Sequence, residues 1–147
     1  MDINVILKML DWNNDLSVQQ EGCISAKTVR CLKVFMQPMD SQFNKNIWEN
    51  CAIILSDKED ELLTPYLMEL LDWLQDLSWP GSTIILERLQ KYRDYENLGR
   101  AISNRIVVAN ALKDEVWLSS LAELLLSNEV KKNLKDDACE IIETYLE

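Results

Sequence analysis

The chain has 147 residues, 48% of them apolar, with 15 basic residues against 25 acidic ones and a formal net charge of −10. That charge opposes nucleic acid and anionic membrane surfaces as partners, since both are held through Lys and Arg; it suits a basic protein partner, and it is also an ordinary route to solubility. Histidine is absent, which excludes Ser-His-Asp and Cys-His catalysis and histidine metal sites, and three glycines supply no phosphate-binding loop.

So few glycines, with only 3 prolines, favour long helices over hairpin-rich β structure. Nearly every apolar run has helical spacing. Val5, Ile6, Met9 and Leu10 form a first stripe, closed by the polar stretch 11–15. Ser25 can cap a second helix that carries Val29, Leu32, Phe35 and Met36 and stops before Pro38. Asp40 or Ser41 can cap a third, with Ile47, Trp48, Cys51, Ile54 and Leu55 on one face. Ser56 and Glu59 stand in capping-box register, and Pro65 sits where a first helical turn tolerates proline.

A fourth helix is expected over about 65–77. The corner Ser78-Trp79-Pro80 starts a fifth, with Ile84, Ile85, Leu86, Leu89 and Tyr92 inward. Leu98, Ile102, Ile106 and Ala109 mark a sixth. Asp114 opens a seventh through Trp117, Leu118, Leu121, Leu124 and Leu125, and Leu134, Ala138, Ile141, Ile142 and Tyr145 mark the last. No stretch alternates with period two for long, and no linker divides residues 1–147, so one all-α domain is expected. The segment Leu10 to Ser17 matches Leu71 to Ser78 at six of eight positions. A recurring helix-plus-corner favours about eight helices as stacked antiparallel hairpins, a HEAT- or armadillo-like α-α superhelix, over a compact bundle.

On a wheel of residues 65–77, Leu67, Leu70, Leu71, Leu74 and Leu77 share one arc. Glu69, Asp72 and Asp76 lie together on the far side, and Trp73 falls at the border beside Tyr66. Residues 56–76 hold seven acids and one Lys. Glu59, Glu61, Glu69, Asp72, Trp73 and Asp76 are therefore the candidate partner-binding residues, with aromatic anchors beside charge. The competing expectation is structural: Asp76 receives N–H groups from the next helix start, and Trp79 and Pro80 wedge the corner. Pairing with the acidic stripe accounts for Arg88, Lys91, Arg93, Arg100 and Arg105. Asp72 and Asp76, four apart, also admit a carboxylate-dependent hydrolase, but no catalytic, cofactor or metal site is expected. The run 57–61 lacks the spacing of a calcium loop.

Cysteines 23, 31, 51 and 139 form no Cys-x-x-Cys and read as reduced thiols. With no basic region at Met1-Asp2 and no apolar run of membrane-spanning length, a cytoplasmic location is expected.

Ile47-Trp48-Glu49-Asn50-Cys51-Ala52, Pro65-Tyr66-Leu67 and above all Trp73-Leu74-Gln75-Asp76-x-x-Trp79-Pro80-Gly81 resemble a bacterial family of small helical proteins known only as a domain of unknown function. Asp114-Glu115-Val116-Trp117 resembles its later pattern. The likeness spans about residues 45–147 and implies an all-α fold with no catalytic residues to carry over. Small acidic helical proteins of this type are similar to the immunity proteins of bacterial toxin systems. The functional expectation is accordingly a non-enzymatic protein that masks a basic partner, with a helical scaffold or adaptor as the alternative.

Overall fold

The computed structural model describes residues 1–38 and 45–146. Among these the chain is all-α. The helices are α1 (Ile3–Met9), α2 (Leu16–Ala26), α3 (Trp48–Ser56), α4 (Asp60–Leu63), α5 (Leu67–Asp72), α6 (Ser82–Gln90), α7 (Tyr95–Ala111), α8 (Glu115–Ala122), α9 (Asn128–Lys131) and α10 (Asp136–Ile142). Short 3-10 turns join α4 to α5 and extend α5, α8 and α10, so about eight expected helices become nine continuous ones. One core runs through them, from Ile6 and Leu10 to Ala138 and Ile142. Trp48, Leu70, Leu74, Trp117 and Leu121, all on expected apolar stripes, lie within it.

Helices two or three steps apart in sequence pack together: α3 on α6, α5 on α7, and α7 on α10. Immediate neighbours also pack, α1 on α2 and α7 on α8. Side chains that reach backbone groups reinforce this order. Trp117 donates its indole N–H to the Leu71 carbonyl at 3.1 Å, pinning α8 to α5. The Ser103 hydroxyl on α7 accepts from the Lys135 N–H at 2.9 Å, just before α10. Asp114 caps α8 as expected, its carboxylate accepting from the Trp117 N–H at 3.0 Å.

Three expectations fail. The second helix is Leu16–Ala26, and Ser25 sits near its end; beyond it Leu32–Phe35 form only a 3-10 turn. Side chains tie the turn between α1 and α2. Asn14 donates to the Lys8 carbonyl at 2.7 Å, satisfying a group that the end of α1 leaves open, and Gln19 donates to the Asn14 carbonyl at 2.8 Å in the turn that follows. Helix α2 is barely amphipathic, with Leu16 and Ile24 exposed, so its apolar spacing is blurred. Its Gly22 lets α1 approach: a Cβ there would lie 2.9 Å from Met9 Cβ. The Ser56 capping box does not form either, because the Ser56 hydroxyl turns back to the Ile53 carbonyl at 2.8 Å and closes α3. The expected caps Asp40 and Ser41 lie outside the described residues. The repeated segment, finally, folds in two ways. Trp12 is 43% exposed in a turn and α2 starts at Leu16, whereas its counterpart Trp73 is buried and α6 waits until Ser82.

The corner before α6 is a tight joint. Gly81 has φ +82°, and a Cβ on it would stand 2.6 Å from Ala52 Cβ and 2.9 Å from the Trp48 carbonyl. Neither the left-handed backbone nor the space admits a side chain. Gly81→Ala should therefore destabilise the fold by about 2–5 kcal/mol, the sum of a left-handed penalty and overpacking. Thermal or urea unfolding followed by circular dichroism measures this; an unchanged midpoint would contradict the packing.

Candidate partner-binding site

The wheel over 65–77 assumes one regular helix, and the chain does not supply it. The 3-10 turns Thr64–Tyr66 and Trp73–Gln75 bracket α5, and Asp76 follows in an extended conformation. A 3-10 turn advances 120° per residue instead of 100°, which rotates the residues at both ends away from their expected places. Trp73 swings inward. It is fully buried, and its indole N–H donates to the Pro80 carbonyl at 2.9 Å. The expected aromatic docking anchor is thus a core residue, because its one polar atom finds a backbone partner across the corner.

Trp79 and Pro80 behave as the structural reading expects. Trp79 packs edge-on against Trp48 with ring centroids 5.6 Å apart, and Trp48 meets Trp73 edge-on at 6.4 Å. The Lys45 ammonium lies 5.4 Å from the Trp48 ring centroid and 5.7 Å from that of Trp79. Asp76 also serves the corner, though not a helix start. Its carboxylate accepts from the Ser78 N–H at 2.8 Å and the Ser78 hydroxyl at 2.6 Å. Those two bonds hold its carboxyl below the usual range.

The other acids divide into two sets. Asp60 and Asp72 are bound inside the molecule. Arg88 donates to Asp60 at 2.6 Å, and the Arg93 N–H donates to the same carboxylate at 3.0 Å. Burial pushes Asp60 upward, but the hydrogen bonds from Arg88 and Arg93 and the nearby positive charge outweigh it and lower its pKa. Arg105 places its guanidinium Nε 2.9 Å from Asp72. There burial wins: it raises the Asp72 pKa against the pull of Arg105, and Glu69 adds to the rise. Glu59 and Glu61 are exposed and Glu69 is half-buried, and none of the three joins an ion pair among the described residues. The expected internal pairing therefore holds for Arg88 and Arg105, while Arg100 pairs with Glu96 on its own helix at 3.4 Å.

Asp72 and Asp76 do not converge on a common cleft. The first is turned to Arg105 and the second to Ser78, where Asp76 lines a shallow groove with Val116, Ser119, Ser120 and Glu123. Burial pushes the Cys51 thiol up to about 12, which keeps it protonated and unreactive at neutral pH. No group of three or more Cys, Asp or Glu among the described residues could hold a metal ion.

Sequence reasoning missed Asp60, Lys45 and Gly81. Asp60 was one of five consecutive charged residues, and its partner is 28 positions away. Only the positions of Trp48 and Trp79 in the shared motif hinted at an aromatic cluster.

The fold and site thus define an all-helical domain whose acidic segment is half internal cross-link and half exposed surface. Residues 44–145 match the family model of a domain of unknown function, DUF5071, and the chain belongs to that family. No curated protein and no solved structure matches the chain. No helix among the described residues is long and apolar enough to cross a membrane.

The Asp60 contacts carry a pH dependence. A carboxyl lowered by folding adds stability above its ordinary pKa of 3.8 and loses it as the pH falls through the folded value. Asp60→Asn should cost about 1.5–3 kcal/mol at neutral pH, the range for hydrogen bonds to a charged group. The difference from the parent should shrink steadily below about pH 4. Urea unfolding across pH 3–7 tests it; a constant difference would assign the cost to shape rather than charge.

Proposed function

We propose that the domain is a non-enzymatic binding protein that docks a basic protein surface on the acidic segment 59–69. One observation carries this reading. Folding pairs Asp60 and Asp72 with Arg88 and Arg105, yet leaves Glu59, Glu61 and Glu69 outside any ion pair among the described residues, beside a Leu62 that is 54% exposed. Exposed charge around an apolar residue is a common form of interface rim and centre. The most concrete version is an immunity-type protein that masks a toxin by charge and shape, built on a HEAT-like array of helical hairpins. Four free cysteines suit a reducing compartment such as the cytoplasm.

Rim charges of this kind govern association rate and salt dependence more than lifetime. The triple reversal Glu59→Lys, Glu61→Lys, Glu69→Lys should leave the melting curve close to the parent's, with each change worth about 0.5 kcal/mol or less. It should slow association with a partner purified from the native host by about tenfold or more at low salt, and flatten the dependence on salt. Stopped-flow kinetics at two ionic strengths decide the matter. An unchanged association rate would return the three glutamates to the role of solvated surface.

A further inference from the structure

A cationic groove runs along the acidic segment of this chain. Lys27, Thr28, Val29, Arg30 and Leu32 form one wall of a groove of about 720 Å³, and Lys58, Glu61, Leu62, Pro65 and Tyr66 form the other. Its charged residues are three cations and one acid, the reverse of the 15 to 25 balance of the whole chain. None of the three cations is used internally: Lys27, Arg30 and Lys58 enter no ion pair among the described residues, whereas Arg88, Arg100 and Arg105 all do. Between the cations the surface is apolar, with Leu62 54% exposed and Tyr66 partly so.

We infer that this groove binds an acidic, extended peptide segment of a protein partner. Three unpaired cations around an apolar floor complement carboxylates that alternate with apolar side chains. The strip also continues. Lys27 and Lys58 line an adjoining groove of about 360 Å³ with Cys23, Ile53, Ile54, Ser56 and Asp57. Two linked concavities that share their cations suit a length of chain better than a compact small molecule. A nucleic acid fits poorly, because it carries a charge at every residue with no apolar side chain between, against a molecule of net charge −10. The 27–32 wall lies outside the family match of 44–145, so half of this surface is supplied by the segment that precedes the shared domain.

The inference does not depend on the basic partner proposed above, and Glu61 separates the two. It stands in the groove as the single acid, so Glu61→Gln should strengthen binding of an acidic peptide while weakening a basic partner. The probes are a fluorescein-labelled octapeptide alternating Glu with Leu and Phe, its counterpart with Lys for Glu, and a labelled oligothymidine. Fluorescence anisotropy with the full chain should show binding of the Glu peptide, weakened by salt, and far less of the other two. Arg30→Glu combined with Lys58→Glu should weaken it by about tenfold or more, and Glu61→Gln should tighten it about twofold. Amide shifts in the parent protein should centre on 27–32 and 58–66, a readout that needs no variant to fold. Equal or tighter binding of the Lys peptide or the oligothymidine, shifts centred elsewhere, or no binding of the Glu peptide at millimolar concentration would overturn the inference.

Discussion

The joint at Trp73 and Gly81 is the constraint on which the rest of the fold depends. Two hydrogen bonds close it: the Trp73 indole N–H to the Pro80 carbonyl at 2.9 Å, and the Ser82 hydroxyl to the Trp73 carbonyl at 2.7 Å. Gly81 turns the chain in a left-handed conformation that brings its backbone against Ala52 and Trp48. Helix α6 is thereby laid on α3, and packing between helices that are not adjacent in sequence continues through α5 on α7 and α7 on α10. The Trp73 indole N–H and the Ser82 hydroxyl both find backbone carbonyls inside the joint, so it is fixed in geometry as well as buried. The three tryptophans then fill the space that the turn encloses.

Charge is organised around this frame. Partly buried ion pairs lose solvation when they form, so their net contribution is small and their chief effect is to specify which segments meet. Arg88 to Asp60 ties α6 to α4, and Arg105 to Asp72 ties α7 to α5. The acids left over, and the cations left over in the 27–66 groove, face outward. Internal pairing thus determines which charges remain for a partner.

Much of the fold was legible because apolar spacing reports a buried stripe directly. It located α3 and α6 to α8 and placed Leu70, Leu74, Trp117 and Leu121 in the core. It failed at α2, where Leu16 and Ile24 point to solvent and blur the apolar stripe. Trp73 was misplaced for a different reason. A wheel drawn at one fixed angle cannot register the 3-10 turns that flank α5, and those turns depend on the corner beyond them. The acids of the candidate site were visible as a run, yet which were internally bound was not, since Arg88 and Arg105 approach from 28 and 33 residues away. The likeness between Leu10 to Ser17 and Leu71 to Ser78 was misleading at this level: equal residues in unequal surroundings gave an exposed Trp12 and a buried Trp73.

The role of the corner as the central joint is tested most directly by hydrogen exchange at the indole nitrogens in the native protein. The Trp73 N–H is bonded to Pro80 beneath the joint, so its exchange requires the corner to open. It should exchange only with the free energy of global unfolding and follow the global curve as urea is added, as should the Trp117 N–H bonded to Leu71. Exchange of Trp73 at a free energy well below the global value, insensitive to urea, would show that the corner opens while the rest stays folded, and would contradict the account.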